Sequence, residues 1–223
     1  MDTRIYPPSV VRDTLSFLGT TTRWFGGARV ILRRFDEWQT RWPANTLIRV
    51  LDVGTGGAEL PIEMVRWARR RGRRIAVTAL ELVPDIAAVA RDNAGAYSEI
   101  TVRVADVAAL ERGGEQFDYV VASLLFHHIP PERSADTLRL FDRLSARGMI
   151  VSDLERSPAG LVAVSLLSHL IGNAVVRHDG PLSVRRAFRV EELTALAVET
   201  GLNYLTARSE PFFRVSLSGE KNA

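Results

Sequence analysis

Two kinds of apolar pattern alternate along the chain, and together they predict an α/β fold. Short, nearly unbroken apolar runs are typical of strands buried on both faces of a parallel sheet. Longer segments in which apolar residues recur every three or four positions are typical of amphipathic helices. The predicted strands span 47–52, 75–80, 100–104, 117–121, 148–152, 203–208 and 212–217. The predicted helices span 59–71, 85–93, 131–145 and 190–200, so we expect a mostly parallel sheet with helices on both faces.

The segments outside this alternation are also predicted to be largely helical. Residues 9–42 carry apolar positions at helical spacing, interrupted at Gly26-Gly27, which predicts two helices ahead of the sheet. We therefore divide the chain into an N-terminal helical cap, residues 1–46, and a main domain, residues 47–223.

A nearly all-apolar segment, residues 161–176, follows the fifth predicted strand. It is too short for a confident membrane span, so no stable membrane insertion is expected. A helix that is apolar on most sides must be buried. We expect a helical insertion at about 157–187, which covers a substrate pocket or else packs against a second subunit in a homodimer. The polar residues 177–188 are expected to return the chain to the sheet, and either to bind an acidic or phenolic substrate or to form a salt-bridged loop.

Composition and charge exclude several classes of function. The 223 residues suit one domain, and the absence of cysteine excludes disulfides, thiolate metal sites and cysteine nucleophiles. The four histidines are dispersed apart from His127-His128, so no metal site is predicted. The net charge of only +3 gives little reason to expect a nucleic-acid partner. Residues 1–8 are polar and no apolar core follows them, so we expect a cytoplasmic protein without a signal peptide.

The chemistry is expected where the first strand ends. Asp52 closes that strand, Gly54 and Gly56 allow a sharp turn, and a helix begins at Glu59. A strand, a glycine turn and a helix N-terminus form a nucleotide-sized site at the carboxyl end of a sheet. A dinucleotide would place its pyrophosphate at the helix N-terminus. Two carboxylates would repel that pyrophosphate, so this turn favours a ligand that carries an amine and a sulfonium cation.

This stretch resembles motif I of the class I S-adenosylmethionine-dependent methyltransferases, (D/E)-x-G-x-G-x-G, with Ala58 in place of the third glycine. The resemblance extends over residues 47–217 and implies a Rossmann-like seven-stranded sheet with S-adenosylmethionine as cofactor. It assigns Glu81 to the ribose hydroxyls, Leu82 to the adenosine, Asp106 to the adenine amine and Val107 to the adenine ring. The complete implied cofactor set is Asp52, Gly54, Thr55, Gly56, Glu81, Leu82, Asp106, Val107 and Ser123.

The loop after the fourth strand bears on the methyl acceptor. Enzymes of this family that methylate nucleic-acid amines usually carry (D/N)-P-P-(Y/F) there, and Ala122-Ser123-Leu124-Leu125 lacks that motif. The histidine pair before Ile129-Pro130 instead resembles the small-molecule branch, which includes quinone and polyketide methyltransferases. A hydroxyl nucleophile needs a base with a pKa near neutrality, and His127 is our first candidate, followed by His128. The residues expected to contact the acceptor are Trp24, His169, Arg177, His178 and Arg186.

These observations predict an enzyme that transfers a methyl group to an oxygen or carbon of a small, hydrophobic or phenolic acceptor. Three alternatives stay open. The chain could bind S-adenosylmethionine without catalysis, as a partner of a biosynthetic enzyme. It could be an NAD-dependent oxidoreductase, or an RNA methyltransferase, which the missing amine-holding motif disfavours.

Overall fold

The computed structural model describes residues 14–15, 26–171 and 174–221, and within these ranges it contains one seven-stranded sheet. The strands are β1 Leu47–Val53, β2 Arg74–Glu81, β3 Ile100–Val104, β4 Phe117–Ser123, β5 Ser145–Leu154, β6 Thr206–Glu210 and β7 Arg214–Glu220. Their order is β3-β2-β1-β4-β5-β7-β6. Strands β1 to β5 pair in parallel, and β7 is antiparallel to both β5 and β6. The predicted Rossmann-like fold with a seven-stranded, mostly parallel sheet is confirmed.

Helices connect the parallel strands as the apolar pattern predicts. They are α1 Gly27–Trp38, α2 Glu59–Arg70, α3 Pro84–Ala94, α4 Val107–Arg112, α5 Pro131–Leu144, α6 Pro158–Ile171, α7 Ala174–Arg186 and α8 Val190–Thr200. Short 3₁₀ turns span Gln39–Arg41 and Phe126–His128. The second of these turns carries the histidine pair past the end of β4.

The core lies on both faces of the sheet. On one face α1 and α2 pack an aromatic cluster on β1, β4 and β5, with Phe35, Trp38, Trp42, Trp67 and Tyr119 in mutual ring contact. The other face is covered by α4, α5 and α8 through an aliphatic and phenylalanine cluster. The aromatic residues of α1 are therefore ordinary core. The division of the chain at residue 46 stays a prediction.

The segment predicted as a helical insertion contains α6 and α7. Residues 177–186, for which a salt-bridged loop is one of two interpretations, belong to α7, with Pro181 inside the helix. Gly180 lies against α6, because a Cβ there would meet Ser168 Oγ at 2.6 Å and Val164 Cγ1 at 3.3 Å. Close packing between the two helices therefore outweighs the proline signal, although a proline normally ends or kinks a helix.

One side of the apolar insertion helix is not buried within this chain, so its predicted packing over a pocket or against a second subunit stays a prediction. Val162, Leu166 and Leu170 are 69%, 60% and 73% exposed. At 100° per residue they share one side of α6, roughly opposite the Val164–Ser168 side that meets α7. Among the described residues, no helix is both long and apolar enough to cross a bilayer.

Candidate functional site

The glycine turn after β1 forms the floor of the candidate site. Gly54 has φ of 72°, a left-handed conformation that glycine adopts without steric cost. The backbone N–H groups of Gly54 and Thr55 both donate to the carbonyl oxygen of Leu80, at 2.9 and 3.0 Å. A Cβ on Gly54 would lie 3.0 Å from Leu125 Cδ1. The turn is thus tied to the end of β2 and covered by the loop after β4.

Asp52 is buried beneath this turn. Burial raises the pKa of Asp52 to about 7, and the negative charges of Glu81 and Glu59 act in the same direction. Asp52 Oδ2 and Thr55 Oγ1 are both buried, and neither has a hydrogen-bond partner in the part of the chain that the structure describes. Buried polar atoms are normally paired, so these two oxygens are available to a ligand.

A second carboxylate lies on the same turn. The side chain of Glu59 folds back over Gly57, since a Cβ at Gly57 would come within 2.4 Å of Glu59 Oε1. Burial raises the pKa of Glu59, although the N–H groups of Glu59 and Gly57 oppose that rise. Ala58, at the third glycine position of the motif, adopts φ of 66° and is fully buried. The turn therefore keeps the left-handed geometry of the motif without its third glycine.

Glu81 joins the ends of β1 and β2. Its Oε2 accepts a hydrogen bond from the N–H of Gly56 at 3.1 Å. Its Oε1 accepts from the N–H groups of Leu82 and Val83, at 2.9 and 3.1 Å. These bonds fix the carboxylate beside the glycine turn. A carboxylate has about four lone-pair sites, so Glu81 still has capacity to accept from ligand hydroxyls.

An apolar surface lies exposed along the same edge of the sheet. Leu82 is 66% exposed, and Val83 and Val104 are also exposed. Asp106 follows β3 and caps α4, because its Oδ1 accepts the N–H of Ala108 at 3.0 Å. The carboxylate predicted to bind adenine therefore also has a structural role, and Val107 follows it as the first residue of α4.

The loop after β4 is held in a strained conformation. Ser123 Oγ is buried, and no hydrogen-bond partner for it lies within the described ranges. Leu124 adopts φ of 56°, which is uncommon for a residue with a side chain, and its N–H donates to the carbonyl oxygen of Ser152. Backbone strain of this kind persists only where the surroundings impose it, often at functional sites.

His127 forms a buried pair with Asp153, the acid that follows the fifth strand's apolar core. His127 Nδ1 lies 2.6 Å from Asp153 Oδ1, and the backbone N–H of His127 donates to Asp153 Oδ2 at 3.0 Å. Leu154 N–H donates to Asp153 Oδ1 at 2.7 Å. Burial alone would raise the pKa of Asp153, but its interactions with His127 and the Leu154 N–H hold that pKa below its usual range.

The ionised Asp153 favours the tautomer in which His127 Nδ1 carries the proton. His127 Nε2 then presents a lone pair, and it has no hydrogen bond to any described residue. The ring of His128 lies 4.1 Å away between centroids and is exposed. His127 therefore has the geometry of an oriented base.

The structure brings together the predicted cofactor residues of β1, β2 and β4 at one edge of the sheet, and those of β3 end on that edge. The predicted acceptor residues are not gathered in this way. His169 lies exposed on α6, and Arg177, His178 and Arg186 lie exposed on α7. Trp24 lies outside the described residues. No group of three or more His, Cys, Asp or Glu residues suited to a metal ion occurs in the described ranges.

Sequence reasoning missed two buried groups at this edge. Asp153 directly follows the predicted strand 148–152, but the sequence analysis does not identify it as the partner of His127. Its sequence signal was available, because it is a fourth acid that directly follows an apolar strand. Arg214 is buried at the start of β7. Nothing in the local sequence distinguishes it from the many exposed arginines.

Comparison with known proteins gives one family match. Residues 50–148 match the family model described as a methyltransferase domain. A search of the curated proteins finds no significant sequence match.

Solved structures share the fold at low sequence identity. The carbon methyltransferase of CurJ has a TM-score of 0.68 and 13% identity over 98% of this chain, which spans 62% of that protein's length. Magnesium protoporphyrin IX methyltransferase (ChlM) from Synechocystis PCC 6803, with bound SAH, has a TM-score of 0.60 and 17% identity over 100% of this chain and 90% of its own. The plantazolicin methyltransferase BpumL, in complex with SAH, has a TM-score of 0.67 and 11% identity over 97% and 95% of the two chains.

Proposed function

We propose that this chain, which has the fold of the class I S-adenosylmethionine-dependent methyltransferases, methylates a small-molecule acceptor. The resemblance to that family is confirmed by the sheet order and by the methyltransferase-domain match over residues 50–148. S-adenosylmethionine is the supported cofactor, since ChlM and BpumL bind SAH (S-adenosylhomocysteine, the demethylated cofactor) within the same fold. The acceptor and the roles of individual residues are proposals.

The residues present fit this cofactor. Asp52 Oδ2 and Thr55 Oγ1 are buried without hydrogen-bond partners among the described residues, and they suit the amine of an amino-acid group. Glu81 suits a pair of ribose hydroxyls, and the exposed Leu82 and Val83 suit the flat face of adenine. When bound, S-adenosylmethionine supplies a methyl group that its sulfonium has already activated. The chain therefore needs mainly to align the acceptor and to exclude water.

We propose that His127 accepts the proton of the acceptor at Nε2. The observation that carries this proposal is the 2.6 Å contact between His127 Nδ1 and Asp153 Oδ1. Asp153 holds the ring in place and stabilises the imidazolium that forms when Nε2 takes the proton. An acceptor hydroxyl or acidic carbon would thereby become nucleophilic at neutral pH. General-base assistance of this kind contributes roughly 100- to 10,000-fold to rate.

The proposed acceptor is small, and hydrophobic or phenolic. The exposed apolar side chains of α6 and the absence of the amine-holding motif after β4 support this class over nucleic acid. Methylation of oxygen and methylation of carbon are both consistent with an oriented histidine base.

Calorimetry with SAH and with NAD tests the cofactor. We expect saturable binding of SAH and none of NAD, because carboxylates at a glycine turn repel a pyrophosphate. Binding of NAD without binding of SAH would instead favour a dehydrogenase.

Incubation with methyl-labelled S-adenosylmethionine tests the reaction. The acceptor panel consists of phenols, hydroquinones and 1,3-dicarbonyl compounds, with RNA as a separate arm, and mass spectrometry detects labelled product. We expect label in a small molecule and none in RNA. Binding of SAH without transfer to any acceptor would favour a non-catalytic binding protein.

A further inference from the structure

A buried polar cluster lies on the α1 face of the sheet, where β5, β7 and β6 meet. Its centre is Glu210, which accepts hydrogen bonds from Arg34 at 3.0 Å, Arg33 at 2.7 Å and Ser216 at 2.8 Å. Arg34 also contacts Glu37 at 3.0 Å. The buried guanidinium of Arg34 thus has two carboxylate partners, as a buried charge normally requires.

Arg214 lies on the same face but has no such partner. It pairs across the strands with Glu210 on one side and Leu154 on the other, and it is 3% exposed. Its guanidinium forms no ion pair and no hydrogen bond with any described residue, and Nη1 is fully buried. Burial lowers the pKa of Arg214 to about 10, and only the charge of Asp153 opposes this effect.

Neither neighbouring carboxylate forms a hydrogen bond or an ion pair with Arg214; both bind other groups instead. Both oxygens of Asp153 accept hydrogen bonds from the His127 and Leu154 groups described above. Both oxygens of Glu210 are occupied by Arg33, Arg34 and Ser216. Burying a guanidinium whose N–H groups have no acceptor lowers the stability of the folded, ligand-free protein. We therefore look for a ligand that supplies the missing acceptors.

A second unpartnered group lies beside it. Ser152 is fully buried, and its Oγ has no hydrogen-bond partner among the described residues. Ser152 pairs with Ser216, and Leu154 pairs with Arg214. Ser152 and Arg214 are therefore diagonal neighbours on one face of the sheet. They lie near the edge at which β4 and β5 end, where His127 and Asp153 also lie.

We propose that Arg214 and Ser152 bind a carboxylate of the methyl acceptor, an inference that rests on the proposed methyltransferase function. A guanidinium binds a carboxylate through two parallel N–H···O bonds, and a serine hydroxyl adds a third donor. Asp52 and Glu81 lie on β1 and β2, whereas Arg214 lies on β7, three strand spacings or roughly 14 Å from β1. The carboxyl edge of the sheet thus has acidic side chains at β1 and β2, which suit the cationic cofactor. It has a cationic side chain at β7, which suits an anionic acceptor.

Matched carboxylate and amide probes test this site. The melting temperature of the SAH-saturated chain is measured at constant ionic strength with benzoate or benzamide, and with phenylacetate or phenylacetamide. We expect at least one carboxylate to bind about tenfold or more tightly than its amide, as a charged hydrogen-bonded pair predicts. Arg214→Gln removes this preference, whereas Arg208→Gln, at an exposed position of the same hairpin, keeps it. Equal stabilisation by carboxylates and amides, or a preference that survives Arg214→Gln, overturns the proposal.

The same variants separate this proposal from two others. SAH has a carboxylate of its own, so a loss of SAH affinity in Arg214→Gln would overturn the acceptor site in favour of a cofactor contact. If the wild-type chain does not bind SAH, the proposed function fails. The carboxylate and amide probes are then titrated against the ligand-free chain, so the acceptor site is still tested.

The stability of a non-polar variant provides a further test. We expect Arg214→Met to leave the melting temperature of the ligand-free chain unchanged or higher, because it removes an unpaired buried charge. It should abolish the carboxylate preference at the same time. A fall of more than about 5 °C would indicate that Arg214 stabilises the fold, and would overturn the proposal.

Discussion

At the scale of single residues, two buried aspartates of this chain have opposite electrostatic environments. Burial and the charges of two nearby carboxylates raise the pKa of Asp52 to about 7, and one of its oxygens has no hydrogen-bond partner among the described residues. Asp153 accepts three hydrogen bonds and lies beside a histidine, which holds its pKa low despite equal burial. Burial acts to raise both pKa values, but at Asp153 the charge of His127 and the hydrogen bonds to His127 and Leu154 outweigh it. The first environment suits a cationic ligand, and the second suits the orientation of a base.

The raised pKa of Asp52 predicts pH-dependent cofactor binding. A cationic amine pairs only with the ionised carboxylate, so the affinity for SAH should rise roughly tenfold from pH 5.5 to 7. In the ligand-free chain the sign is opposite, because a raised carboxyl pKa contributes stability at low pH that is lost as the pH rises through about 7. Calorimetry across this pH range measures the affinity for SAH. Asp52→Asn should bind SAH more weakly, with an affinity that does not change with pH. An equally flat wild-type profile would exclude Asp52 as the amine partner.

The His127–Asp153 pair predicts a loss of turnover without loss of cofactor affinity. His127→Ala should lower kcat by about 100-fold or more, because the proposed base is absent. Asp153→Asn should also lower kcat, since the His127 tautomer is no longer fixed. The dissociation constant of SAH should stay within about twofold in both, and Arg208→Gln serves as the matched surface control. An unchanged kcat in His127→Ala would remove the base assignment.

At the scale of elements, the close approach of β5 and β7 depends on small residues. A Cβ on Gly148 would lie 2.3 Å from the carbonyl oxygen of Gly219, a backbone atom that cannot rotate away. The pairing of these strands places Arg214 beside Leu154 and thus sets the geometry of the polar edge. The β5–β7 register therefore connects core packing to the candidate acceptor site.

Gly148→Ala is therefore expected to destabilise the fold. Forcing a methyl group into this contact should cost about 1–3 kcal/mol of unfolding free energy. Gly95→Ala is the matched control, because Gly95 has a helical backbone and only ordinary contacts of 3.5 Å or more. Chemical denaturation of both variants gives the comparison. If Gly148→Ala and Gly95→Ala have equal unfolding free energies, then β5 and β7 can move apart without loss of stability.

The exposed side of α6 predicts the opposite behaviour. Val162, Leu166 and Leu170 are mostly exposed, so replacing all three by Gln should change the unfolding free energy by no more than about 1 kcal/mol. Leu138→Ala, at a fully buried position of α5, should cost about 2–5 kcal/mol in the same assay. A large loss in the triple variant would indicate that these side chains are buried in solution.

At the scale of the whole molecule, one sheet supports both halves of the core. The aromatic cluster under α1 and α2 and the aliphatic cluster under α5 and α8 lie on opposite faces of β1, β4 and β5. The helix preceding β1 is thus packed on the same strands as the helices that follow it. A sheet shared in this way should not unfold one face at a time.

We therefore expect a single unfolding transition. Trp38, Trp42 and Trp67 lie in the aromatic cluster, so tryptophan fluorescence reports mainly on one face, whereas far-ultraviolet circular dichroism reports on all helices. The two denaturation midpoints should coincide, and saturation with SAH should move both equally. An earlier fluorescence midpoint would instead support residues 1–46 as a separately unfolding cap.

The sequence by itself determined the order of the strands and helices and the location of the cofactor edge. Both are local properties: buried strands need unbroken apolar runs, and a glycine turn needs glycine at Gly54. The acids that follow successive parallel strands must share one edge, which is why Asp52, Glu81 and Asp106 were predictable without coordinates.

Only the tertiary structure decided which polar groups are paired. His127 and Asp153 are 26 residues apart, and Arg214 has no hydrogen-bond partner among the described residues although two acids lie near it. Contacts with α6 likewise kept Pro181 inside a helix. Pairing, burial and close approach depend on groups distant in sequence, so the acceptor side of the site followed from packing rather than from any local pattern.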